Sequence, residues 1–360
     1  MRAVPGLGGD EVSDKAPAIA YASILALGAA MGGVIYLGSR EGPSTPPGTP
    51  AASSTASTAT TATTASPSTP ATLMFVASAD LTGEEQAVLE RVNQVRANPP
   101  AFLADWKKTL ADQRSRKLPC DEQDAMLDPL KAYQARQPLA ANQQLTAAAR
   151  AHAKDEVARN FWGHVNPDGV GSNQRIVAAG YPLPIGRGVG SYTYSDKKDA
   201  VNTESIFKTQ GRDTLPPTAW ADAVDILVVD ACVPTRGHRD HVLGVSGTSP
   251  LEPEIGVGVA AGDKQHHVVI ETATKLDGLF YVLGVVYRDA DKDGHYDLGE
   301  GVAGVQIDAR AAGVTTKSGP GGGFALPVKD GTSGELATGG GATKPFAVSG
   351  ANVKVDFVVP

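Results

Sequence analysis

Near the C-terminal end, the run Asp289-Ala290-Asp291-Lys292-Asp293-Gly294-His295-Tyr296-Asp297-Leu298-Gly299-Glu300 places carboxylates at loop positions 1, 3, 5, 9 and 12, with glycine at position 6. Calcium takes about six to eight oxygen ligands, and alternating short acids with a final glutamate that binds through both oxygens supply that number. The candidate ligands are the side chains of Asp289, Asp291, Asp293, Asp297 and Glu300 and the backbone carbonyl of His295. Glycine at position 6 permits the sharp turn, and Tyr296 anchors the loop. The plain alternative is an acidic hairpin turn whose charges are merely solvated. Strand-like runs rather than helical ones flank the loop, so an EF-hand pair is not expected.

Histidine supplies the second kind of chemistry. The chain has seven. Two neutral imidazoles and a carboxylate can hold a divalent cation such as zinc with one position open. They can equally hold water or a polar ligand by hydrogen bonds. His152 lies on an amphipathic helical stretch and reads as a packing residue. His266 and His267 are adjacent strand positions, one in and one out. Ser191, Ser195 and Ser246 are loop serines without a nucleophile elbow. Cys232 stands six residues before His238, so a Cys–His nucleophile pair is conceivable, but no catalytic residue is assigned.

The elements that must position these groups follow from the rest of the pattern. A chain of 360 residues has room for two or three domains with real cores. A net charge of −7 argues against nucleic acid as a partner, because phosphate binding needs a basic face. After an N-terminal tail at 1–16, residues 17–38 are apolar and uncharged, long enough for a transmembrane helix or for a signal segment that is cleaved. Residues 39–78 are a Ser/Thr/Pro/Ala-rich linker with too few large apolar side chains to fold, and so read as disordered. This order predicts a cell-envelope protein, anchored to the membrane with extracytoplasmic domains, or secreted if the apolar segment is removed. Only Cys120 and Cys232 could form a disulfide there.

Between about 79 and 276, helical patterns at Glu84–Asn98 and Leu145–Phe161 precede alternating strand patterns at Ile255–Ala260 and His267–Thr272. Helices followed by strands, without regular β-α-β repetition, predict a layered α/β/α or α+β domain. From 277 to 360, short strands at Phe280–Tyr287, Val302–Ala309, Gly323–Pro327 and Val353–Val359 lie between glycine-rich turns and predict a small all-β sandwich.

The middle region resembles a known family. Phe161-Trp162-Gly163-His164-Val165-Asn166-Pro167-Asp168-Gly169 with Arg175-Ile176 and Ala179-Gly180-Tyr181, then Val233-Pro234-Thr235-Arg236-Gly237-His238-Arg239 and Ile255-Gly256-Val257-Gly258-Val259, are similar to the signatures of bacterial CAP (SCP-like) domains. The resemblance covers about half the chain. It implies an α-β-α sandwich with a cavity lined by His164, His238 and an acid at Glu204. A second acid is implied before His238, with Asp222 and Asp225 as candidates. His241 stands where many members have asparagine and could add a ligand or a hydrogen bond. The acidic loop and its flanks resemble the SdrD B-like and carboxypeptidase-regulatory-like sandwiches of surface proteins, which implies a spacer or adhesive module.

Three functions stay open on these readings. The first is a surface-tethered module binding a lipid, glycan, peptide or divalent metal such as zinc. The second is a metal-dependent extracellular hydrolase. The third is a structural envelope protein without activity.

Overall fold

The computed structural model describes residues 72–113, 128–189, 192–210, 219–230, 233, 235–245 and 251–360. The apolar segment at 17–38, most of the linker, Ser191, Ser246 and both cysteines lie outside these residues. Among the described residues no helix is long and apolar enough to cross a membrane. Those from Leu73 onward belong to one compact unit of mixed α+β structure, built as two lobes.

The first lobe opens with helix α1 (Gly83–Ala97), which starts where Thr82 and Glu85 form a reciprocal cap. The Glu85 amide donates to the Thr82 hydroxyl and the Thr82 amide donates to the Glu85 carboxylate. Val88, Val92 and Val95 form its buried stripe, as their spacing predicts. Helix α2 (Pro99–Gln113) follows directly. Helix α3 (Gln143–Arg159) is capped by Asn142, whose side-chain oxygen accepts from the amides of Gln144 and Leu145. Then come α4 (Ser172–Ala178), α5 (Ala219–Val229) and α6 (Gly237–Val242).

Four strands form the sheet of this lobe, β2 (Ala140–Ala141), β5 (Glu204–Gln210), β6 (Glu254–Gly262) and β7 (Gln265–Ala273), in the order β2-β6-β7-β5, and β3 (Gly188–Val189) and β4 (Tyr192–Thr193) pair separately. Ile255, Val257, Val268 and Ile270 point into the core shared with α1, α2, α5 and α6. Ile206 and Val269 pack on the other face against Ala149 and Ala153 of α3. Helices therefore cover the sheet on both sides. This is why His266 and His267, expected one in and one out, are both buried, at 3% and 0% exposure. They point to opposite faces, and neither face meets water.

The second lobe is two facing sheets. Strands β1 (Met74–Phe75), β9 (Gln306–Ala309), β10 (Val314–Lys317), β12 (Ser333–Thr338) and β13 (Thr343–Ala347) make one, in the order β1-β10-β9-β12-β13. In the other, β8 (Leu279–Tyr287) pairs with β11 (Gly323–Lys329), β14 (Val353–Lys354) and β15 (Phe357–Val358). Val282, Val286, Ile307, Phe324, Leu326, Leu336 and Phe357 fill the space between them. Met74–Phe75, within the expected linker, instead runs parallel to Val314–Thr315 as an edge strand of this lobe.

A buried polar knot joins the lobes. Glu254 of β6 accepts from Asn142, Tyr181 and the Tyr281 hydroxyl of β8, at 2.7–2.8 Å. Asn352 of the second lobe donates to the carbonyls of Pro138 and Pro253 and accepts from the Tyr281 amide. The second lobe is seated on the first through these contacts.

Candidate functional site

His164 lies in the loop after α3, and His238 is the second residue of α6. They are 74 positions apart (238 − 164), yet their rings lie face to face with centroids 6.1 Å apart and planes 29° from parallel. The side chains keep 34% and 24% of their exposure, so both open to solvent. Each ring is held from behind by an acid. The His164 Nδ1–H donates to Glu204 Oε1 at 2.9 Å, and the His238 Nδ1–H donates to Asp230 Oδ1 at 3.0 Å. No described residue bonds either Nε2, which leaves each able to accept from a ligand when its ring is neutral. Histidines that ligate a metal have this orientation: one nitrogen donates to a carboxylate, and the other faces the ion.

Glu204 does not face the opening. It is the first residue of β5, and its side chain is fully buried. Oε1 accepts from His164, and Oε2 accepts from Arg175 Nη2 at 2.5 Å. Burial alone would raise this carboxyl. The His164 hydrogen bond and the Arg175 charge outweigh it and hold the group at about 2. Antiparallel register sets Glu271 of β7 directly across from Glu204. Burial and the adjacent Glu204 charge push the Glu271 carboxyl well above the usual range. Two buried acids thus sit side by side, with Arg175 beside both.

The second acid is neither Asp222 nor Asp225. Asp225 makes a two-pronged pair with Arg91 of α1 at 2.6 and 2.9 Å, and Asp222 lies on the same helix beside it, raised to about 6 by burial and by Asp225. The acid on His238 is Asp230, the residue just past the end of α5, with φ +46°. Its other oxygen accepts from the His238 and Arg239 amides. A signal for it exists in the sequence, since an acid at a helix C-terminus opposes the helix dipole and must be used by something else. Arg239 covers that same terminus, donating to the carbonyls of Val228 and Val229.

His241 takes the hydrogen-bonding option. Its Nε2 lies 2.7 Å from Thr272 Oγ1 and its Nδ1 lies 2.8 Å from Ser205 Oγ. The Thr272 hydroxyl donates to Glu252, so Thr272 accepts from His241 Nε2–H and Ser205 donates to Nδ1. Both nitrogens are used, and the ring is neutral. Burial, then the nearby His238, Arg96 and His164, lower its pKa to about 3. Ser205 is fully buried. Ser195 accepts from the Lys197 amide in a turn. His152 is buried behind Glu204, with Nε2 bonded to the Gly163 carbonyl and 3.8 Å from Glu204 Oε2.

In the second lobe the acidic loop joins β8 to β9. Ligand oxygens of Asp289, Asp291 and Asp293 lie within 4.8 Å of one another, the one such group of three among the described residues. His164, Glu204 and His238 do not converge to that distance. Glu300 closes the loop, accepting from the Ala290 amide at 2.7 Å and the Asp297 amide at 2.9 Å. Lys292 and Gly294 take positive φ, +64° and +81°, to make the turn. Burial, then the neighbouring Asp293, Glu300 and Asp291 carboxylates, raise the Asp297 carboxyl.

No family model matches the chain, and no curated protein matches it. Among solved structures it is similar to an extracellular protein containing an SCP domain from Bacillus anthracis str. Ames, with 16% identity and a TM-score of 0.24. That match spans 41% of this chain and 39% of the other. A likeness this slight carries no weight for fold or chemistry beside the geometry.

Proposed function

We propose that this chain is an extracytoplasmic, surface-tethered CAP-like binding protein whose His164 and His238 imidazoles hold a divalent metal ion or a small polar ligand between them. The observation that carries this reading is the pair of outward Nε2 atoms, each ring oriented through Nδ1 by a buried acid. Zinc suits neutral imidazoles and tolerates open positions for water or ligand. Glu204 and Asp230 act here as orienting groups rather than ligands. The apolar segment and linker read from the sequence support a location outside the cytoplasm, tethered or released.

Zinc titration of the metal-free protein tests the site. One equivalent should bind to the wild type. His164→Ala and His238→Ala should each weaken binding by more than about 100-fold, beyond the loss usual for an outer partner. Equal binding by the wild type and both variants would refute the site. Zinc-dependent cleavage of a peptide library by the wild type would move the reading to a hydrolase.

The Asp289–Glu300 loop is proposed to bind calcium. Saturation at about 100 times the dissociation constant adds about 2.7 kcal/mol. For a unit of this size that raises Tm by about 5 °C or more. The combined Asp291→Ala and Glu300→Ala variant should show no shift. A wild type whose melting ignores calcium would remove the assignment.

A further inference from the structure

Arg175 projects from α4 into the space behind His164, and its guanidinium touches that histidine's supports at two separate places. Nη1 donates to the His164 backbone carbonyl and to the Val170 carbonyl, both at 2.9 Å. Nη2 donates to Glu204, whose other oxygen accepts the His164 ring N–H. The planar fork of arginine spans these acceptors with fixed geometry, which the single ammonium of lysine cannot reproduce. The side chain is 10% exposed and Glu204 is fully buried, so water offers no substitute.

His238 is held differently. Its acid, Asp230, accepts amides from the start of α6 itself, His238 and Arg239. The acid behind one imidazole is therefore held by that imidazole's own helix, and the acid behind the other by an arginine of α4. We infer that Arg175 is the positioning residue of His164, fixing its main chain and, through Glu204, the plane and tautomer of its ring, while His238 is independent of it. The functional weight of this inference rests on the reading of His164 as a ligand; its structural part does not.

Nitrogen-15 NMR of the metal-free protein separates the two. Imidazole signals of His164 and His238 are assigned by their loss in His164→Ala and His238→Ala. In the wild type both rings should show protonated Nδ1 and bare Nε2. In Arg175→Met the His164 signals should move toward a mixture of tautomers while those of His238 stay in place. Zinc affinity should fall about 10- to 100-fold, the usual cost of losing an outer partner. Arg175→Lys should show the same pattern at smaller amplitude, and it decides the question if Arg175→Met does not fold.

Unchanged His164 signals in a folded variant would overturn the inference. So would equal disturbance of both histidines, which would mark Arg175 as general scaffolding. If the wild type binds no zinc, the metal reading falls while the NMR result still decides the role of Arg175.

Discussion

Lowering the pH from 7 to 4 should destabilise the wild type steeply relative to His241→Asn, by about 1.4 kcal/mol for each pH unit below 6.5. The folded-state pKa of His241 is lowered from 6.5 to about 3, while the unfolded chain keeps the ordinary value. Above 6.5 neither state holds the proton, and the contribution is full and flat. Between 6.5 and 3 only the unfolded state binds it, so stability falls as pH falls through this window. At pH 4 the loss approaches about 3.5 kcal/mol, much of the stability of an ordinary domain. Glu204, held at about 2, acts in the same direction below 4.5. Asp222, raised to about 6, acts oppositely between 6 and 3.8, because the folded state binds its proton first. The difference between wild type and variant removes both. Urea unfolding at half-unit pH steps measures it, and parallel profiles would mean that His241 is not held neutral.

Gly256→Ala and Gly258→Ala should each cost on the order of 4 kcal/mol or more, or prevent folding. A Cβ on Gly256 would stand 2.1 Å from the Leu145 carbonyl carbon, and one on Gly258 would stand 2.3 Å from that of Ala149. Both collisions are with helix backbone, which cannot turn aside as a side chain can. Relief would require α3 to lift from the sheet. That helix carries His152 and Glu156, which pack behind Glu204, so the damage would reach the His164 support. Gly188→Ala, with nothing within 4 Å of its Cβ, is the control and should change little. Urea midpoints of the three variants check this; a fully stable Gly258→Ala would show that α3 does not lie so close.

Features whose determinants are neighbours in the chain were legible beforehand. The helix read at Glu84–Asn98 needs only Val88, Val92 and Val95 at helical spacing, and all three are buried in α1. The acidic loop needs only twelve consecutive positions. The alternation at Ile255–Ala260 marks a strand, although which helix packs on its glycines is not written there. The pairing of His164, Glu204 and His238 was anticipated from motifs, and contacts join the first two directly and the two rings face to face.

The rest depended on directions that side chains take only in the folded lobe. Asp222 and Asp225 precede His238 closely in sequence, yet α5 turns Asp225 to Arg91 and leaves Asp230, past its end, to meet the imidazole. Glu271 became a partner of Glu204 through strand register, which shifts every opposite pair with a single slip. His241 lost its ligand option because Ser205 and Thr272 reach both ring nitrogens.

By itself the order of residues determined the local elements, the acid-rich loop and the acidic character of the whole, because each arises from propensity, spacing or charge within a short stretch. Tertiary structure decided which acids orient which imidazole, that Arg175 backs only one of them, and that the second lobe is seated on the first through Glu254 and Asn352. Those contacts join residues from 8 to 214 positions apart, and only packing sets their distance.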